Sequence, residues 1–148
     1  MAEAVERYGR SVQALAFVYL KNHHDAEDAA QEVFLSYLRS NAVFAAEEQR
    51  RAWLMTATAN RCRSLLRSPR RRTEPLTEEL AYLPAEESEV LGAVLALEER
   101  YRLPIHLYYY EGYSIAEIAA LLHRSASAVG SQLARGREKL RNMLEEEL

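Results

Sequence analysis

Ser114-Ile115-Ala116-Glu117-Ile118-Ala119-Ala120-Leu121-Leu122-His123-Arg124-Ser125-Ala126-Ser127-Ala128-Val129-Gly130-Ser131-Gln132-Leu133-Ala134-Arg135 is the stretch that decides the fold. Ser114 and Glu117 make a capping box, in which hydroxyl and carboxylate each satisfy an orphan amide of a first helical turn. Ile115, Ile118, Ala119 and Leu122 then share one stripe, His123-Arg124-Ser125 breaks it, and a second helix starts near Ala126. On that helix Val129, Leu133, Leu140 and Leu144 line one face, with Ser127, Ser131, Ala134 and Arg135 opposite. A short helix, a three-residue turn and a helix with a small, polar outer face form a helix-turn-helix. Any helical hairpin needs the same stripes and caps. The outer face favours DNA: short side chains let the helix seat deeply, and Arg124, Arg135, Arg137 and Arg141 can reach phosphates.

Working outward, the rest of the 148 residues is also helical in pattern. Val5, Tyr8, Val12, Leu15 and Tyr19 predict a first helix, ending before Asn22. Asp25 can cap a second, with Ala26, Ala30, Val33, Tyr37 and Leu38 inward. A third runs from near Glu47 to about Leu66 and is stopped by Ser68-Pro69. Three prolines and many glutamates make 68–87 a linker. Helices resume with Val90, Leu91, Val94, Leu95 and Leu97, followed by one over roughly Arg102–Tyr110 with Pro104 in its first turn. The expected fold class is all-α: two small helical domains, 1–67 and 88–148, on a charged tether, the C-terminal one a helix-turn-helix. No run is apolar for long enough to span a membrane, and the single Cys62 excludes an internal disulfide framework.

The formal net charge of −3 argues on its face against nucleic acid, but it is an average. Residues 1–72 sum to +4 and residues 73–148 to −7. Six arginines fall between Arg61 and Arg72 with no acid among them, and Glu74 to Glu99 holds eight glutamates and no base. Two basic blocks thus flank an acidic connector, a pattern that solvated faces would also produce. On the third helix Trp53, Ala57, Asn60 and Ser64 share a stripe with Arg63 and Arg67 beside it, while Leu54, Cys62, Leu65 and Leu66 form the core side. Aromatic, amide and arginine together suit unpaired bases on a neutralised backbone. From the residues alone, a helix-turn-helix regulator and a protein-binding adaptor both remain open.

Three segments lie in order along nearly the whole chain: Asp25 to Phe34, Ala52-Trp53-Leu54 through Ala59-Asn60-Arg61, and Leu107 to Ala119. Together they resemble the small two-domain bacterial sigma factors of the extracytoplasmic-function group. The first is similar to that family's polymerase-binding helix, the second to its promoter-melting helix, and the third to the entry of its second DNA-binding domain. The resemblance implies core RNA polymerase as a partner, through the clamp helices of its largest subunit and its flap. Asp28, Gln31, Glu32 and Leu35 would form the docking stripe. It implies promoter DNA as a second partner. Phe44, Trp53 and Asn60 would receive a base of the minus 10 element, with Arg61, Arg63 and Arg67 on the adjoining backbone. Without a Gly-rich phosphate loop, melting would be driven by capture of the opened strand.

The minus 35 element would be met by Arg124, Ser127, Gly130, Ser131, Gln132, Ala134 and Arg135. Here the chain departs from the family, which commonly has bases where Gly130 and Gln132 stand and a larger side chain at Ala134, so a weaker or differently specified contact is expected. The first helix also begins almost at Met1, where relatives carry a further short helix, so either a trimmed first domain or a misassigned start is expected. The family further implies an anti-sigma partner, a cytoplasmic location without membrane insertion, and no enzymatic activity. No cofactor is expected. His23-His24-Asp25 lacks a fourth ligand for a metal, and His106, Cys62 and Tyr108–Tyr110 read as packing residues.

Overall fold

Val12, Leu15, Ala16, Tyr19 and Leu20 follow one side of the first helix, and burying that side takes two partners. The computed structural model describes residues 2–68 and 85–146. The chain divides into two compact units, Met1–Glu74 and Pro75–Leu148. In the first, α1 (Ala2–Leu20), α2 (His23–Ser40) and α3 (Glu47–Leu66) pack pairwise as a three-helix bundle. Ala26, Ala29, Ala30, Val33 and Phe34 supply α2's share of the core, and Leu54, Met55, Thr58, Ala59 and Cys62 supply that of α3. Each large aliphatic side chain withdrawn from water stabilises the bundle by roughly 1.5–3 kcal/mol.

The α1–α2 corner is set by polar chemistry. Lys21 adopts a left-handed φ of 57°, and the Asn22 side chain accepts the Asp25 amide at 2.8 Å. The cap is therefore Asn22 and not Asp25, which sits in the first turn, where its charge complements the helix dipole. The buried arc of α2 is also rotated from the expected one. Phe34 is inside, Tyr37 is half-buried, and Leu38 is 53% exposed. Val5 is likewise on the surface of α1, and Leu65 and Leu66 are only half-buried.

The second unit is built around α7 (Ala126–Glu146), which packs on α4 (Ala85–Ala96), α5 (Glu99–Ile105) and α6 (Ile115–Leu122). Helix α4 begins inside the segment read as linker, the rest of which, 69–84, lies outside the described residues. Leu95, Leu97, Leu103, Leu107, Ile118, Val129 and Leu133 are almost wholly buried. The approach of α7 to α5 depends on Gly136, where a Cβ would come within 2.9 Å of Ile105 Cγ1. Helix α5 starts at Glu99, so Pro104 lies in its second turn and not the first. After α5 the helix widens through His106–Tyr110, where the Glu111 amide bonds the His106 carbonyl at 3.2 Å, five residues back. Gly112, at φ 75°, then turns the chain toward α6. The tyrosines of this wide turn are not core residues: Tyr109 is 56% and Tyr110 76% exposed. The extra backbone atoms per turn rotate them outward and leave His106 and Leu107 inside.

Candidate nucleic-acid interface

Helix α3 lacks a side-chain cap at Ala46 and is anchored instead by a cluster around its first residue. The Tyr8 hydroxyl donates to Glu47 Oε2 at 2.6 Å, Arg50 Nη2 donates to Glu47 Oε1 at 2.7 Å, and Arg7 approaches at 3.2 Å. The Tyr8 bond, followed by that of Arg50, holds the Glu47 carboxyl down at about 2. The start of α3 is thereby tied to α1, and the register of the whole helix follows.

From that anchor the stripe expected on α3 is displayed outward. Asn60 and Arg67 are exposed, and Trp53 and Arg63 are half-buried. Trp53 is in an aromatic cluster: its ring lies 6.4 Å from Phe44 and 5.8 Å from Tyr37, edge-on to both. The family resemblance places Phe44 with Trp53 but does not include Tyr37, which no helical spacing connects to them. Arg63 donates to Asn60 Oδ1 and, at 3.3 Å, to the Tyr19 hydroxyl, which orients the amide and one arginine of the stripe together.

On α2, Asp28, Gln31, Glu32 and Leu35 are all exposed and share one face. Leu35 at 43% and Leu38 at 53% give this face an apolar component that solvation alone does not explain. Glu32 forms an ion pair with Arg61, so the α2 face and the α3 stripe are contiguous across the helix boundary.

In the second unit the helix-turn-helix has the expected three-residue turn. The capping box at Ser114 and Glu117 is complete, His123 takes a left-handed φ of 57°, and Ser125 Oγ accepts the Ala128 amide at 3.1 Å to cap α7. Ser127, Ser131, Ala134 and Arg135 are exposed, while Gly130 and Gln132 are half-buried. Nothing lies within 4 Å of a Cβ placed on Gly130, so this glycine meets no packing demand. Arg124 Nη1 donates both to the Arg100 carbonyl at 3.1 Å and to Gln132 Oε1 at 2.9 Å, which makes it a brace of the turn. Among the described residues no three His, Cys, Asp or Glu side chains are placed to hold a metal. His23 stacks on Phe17, and His24 lies 3.7 Å from Asp28.

These features define a two-unit helical factor with a helix-turn-helix in its second unit. Residues 4–73 match the family Sigma-70 region 2 and residues 87–140 match Sigma-70, region 4. RNA polymerase sigma factor CarQ of Myxococcus xanthus is 32% identical over 150 residues, spanning 95% of this chain and 86% of CarQ. ECF RNA polymerase sigma factor SigE of Mycolicibacterium smegmatis is 31% identical over 156 residues, and the match covers 96% of this chain and 60% of SigE. The solved structure of CnrH in complex with the cytosolic domain of CnrY is similar with a TM-score of 0.73 and 28% identity, over 99% of this chain and 88% of that one. The sigma factor RpoE of Bartonella quintana shares the fold, with a TM-score of 0.77 at 18% identity over 97% and 96% of the two chains. The chain belongs to the sigma-70 family, within its extracytoplasmic-function group, the factors that direct RNA polymerase to specific promoters at transcription initiation.

Proposed function

We propose that the first unit both docks core RNA polymerase and captures the opened minus 10 strand, while the second reads the minus 35 element. The observation that carries this is the contiguity on the first unit. An exposed acidic and apolar face on α2 adjoins a stripe of half-exposed rings, amide and arginines on α3. The first face repels DNA and suits a protein surface, and the second suits unpaired bases. Asp28, Gln31, Glu32 and Leu35 engage the clamp helices of the largest subunit. Phe44, Trp53 and Asn60 hold a base, and Arg61, Arg63 and Arg67 neutralise the strand beside it. Capture of the strand offsets lost pairing, so melting follows from binding and the polymerase performs the chemistry.

In the second unit, α7 presents Ser127, Gly130, Ser131, Gln132, Ala134 and Arg135 to the major groove, with Arg124 bracing the turn at its entry. The small side chains and the single exposed base on this part of the helix support a weak, shape-tolerant contact. The same unit approaches the polymerase flap. No helix among the described residues is long and apolar enough to cross a membrane, and the factor acts in the cytoplasm with the polymerase. RpoE of Bartonella quintana was solved with the anti-sigma factor NepR, and an anti-sigma partner covering the α2 face would silence this chain.

The test is reconstitution. With core polymerase, the chain should support promoter-dependent RNA synthesis, and Asp28→Arg should abolish polymerase association without changing the helical content. DNA binding without polymerase association would instead indicate a stand-alone regulator, and intact association of the Asp28→Arg chain would overturn the docking assignment.

A further inference from the structure

Tyr37 belongs to no element of the site as read from the sequence, yet it completes an aromatic cluster drawn from three separate segments. Its ring is parallel to that of Phe44 within 6°, at a centroid separation of 6.3 Å. Trp53 meets Tyr37 at 64° and Phe44 at 61°, so the three rings form a triangle with sides of 5.8 to 6.4 Å. None of the three is fully buried, although the bundle has a complete core elsewhere in Leu15, Tyr19, Leu20, Leu54 and Met55. A ring set against two others and turned partly toward water is placed to present a π-face and not merely to fill space.

We propose that Tyr37 is a base-contacting residue that helps to set specificity: it forms the third side of the corner that takes the unstacked minus 10 base, and its aromatic face decides which base is accepted. The proposal rests on the reading of the first unit as the minus 10-binding domain. Phe44 and Trp53 meet edge to face at 6.4 Å, and Tyr37, rising from α2, stands against both as a third wall. Its half-buried ring bounds the surface on which a planar group can lie against them. Stacking of one base on one aromatic side chain accounts for roughly a five- to hundred-fold change in affinity. Loss of this wall should therefore weaken discrimination at one position of the melted strand and leave its neighbours alone.

The test uses the full chain reconstituted with core polymerase and a DNA library randomised upstream of a transcribed tag, with the RNA products sequenced. The wild-type chain should select a defined base at each position of the melted segment. Tyr37→Ala should relax the preference at one such position by about ten-fold, and Tyr37→Leu, which keeps apolar bulk without a π-face, should act in the same direction. Tyr37→Phe should retain the wild-type preference, since it keeps the ring. If Tyr37→Ala and Tyr37→Leu transcribe with unchanged preferences, or lose output equally from all sequences, Tyr37 is a packing residue and the proposal fails. If the wild-type chain itself selects nothing, the reading of the first unit falls and takes the proposal with it.

Discussion

Arg124 Nη1 donates at 3.1 Å to the carbonyl of Arg100, the residue four before Pro104. Proline has no amide to offer that carbonyl, so the arginine from the helix-turn-helix turn stands in for the missing helical bond. The same nitrogen reaches Gln132 Oε1, which ties α5, the turn and α7 together.

Arg124→Ala should therefore lower the stability of the second unit by about 1–3 kcal/mol, the range for a lost hydrogen bond to a charged group. Arg135→Ala, at an exposed position, should leave stability within about 0.5 kcal/mol. It should instead reduce the salt slope of promoter binding by the holoenzyme by about 1. Thermal melts of the free chain and salt titrations of the holoenzyme separate the two roles.

Gly130 and Gly136 lie six residues apart on α7 and should respond oppositely to alanine. Gly130 has open space around it, so Gly130→Ala should raise stability by about 0.5–1 kcal/mol through helix propensity alone. Gly136→Ala gains the same propensity but drives a methyl to 2.9 Å from Ile105 Cγ1, and should be destabilising by about 1–2 kcal/mol net. Denaturant midpoints of the two variants check this directly.

Glu47 is held down at about 2 by Tyr8 and Arg50, below the ordinary carboxylate value of 4.5. A carboxyl more acidic in the folded chain stabilises above its unfolded value and loses that contribution as pH falls through the folded one. The first unit should thus lose stability between pH 4.5 and about 2, and Glu47→Gln should flatten that part of the profile. A Glu47→Gln profile as steep as that of the wild type would show that the anchor contributes nothing.

His106 follows a different course. Burial pushes its imidazole down from 6.5 to about 4, so it is neutral at pH 7 with Glu111 3.7 Å away and Tyr110 stacked at 5.2 Å. A base with a depressed folded value favours the unfolded chain as it protonates, and stability should fall from about pH 6.5 downward. The loss reaches roughly 2–4 kcal/mol near pH 4. His106→Phe should remove that slope, as circular-dichroism melts across the range would reveal.

Local chemistry was legible in the sequence, and angular placement was not. The Ser114–Glu117 box, the His123–Ser125 turn and the start of α7 depend on atoms within four residues of one another, and all stand where spacing put them. Asn22 and Asp25 are both good caps, and only the observed bond from Asp25 N–H to Asn22 Oδ1 distinguishes them. Tyr37 and Leu38 continue the apolar stripe of Val33, but α2 packs against two helices at once, and that geometry selects Phe34 over Leu38. Tyr108–Tyr110 read as core because a regular helix would turn part of the run inward, while the widened turn does not. In the candidate site Phe44, Trp53 and Asn60 were found through the family pattern. Tyr37 reaches them only through the crossing of α2 and α3.

Trp53 is the only tryptophan beside nine tyrosines, and it sits in the first unit. The free, unlabelled chain is thus a one-emitter protein whose indole fluorescence follows half of the molecule. Far-ultraviolet ellipticity, in contrast, sums both halves. Any gap between the two signals on heating or acidification measures how independently the halves come apart, and it assigns the acid losses traced to Glu47 and to His106 to their own units without a label or a truncation.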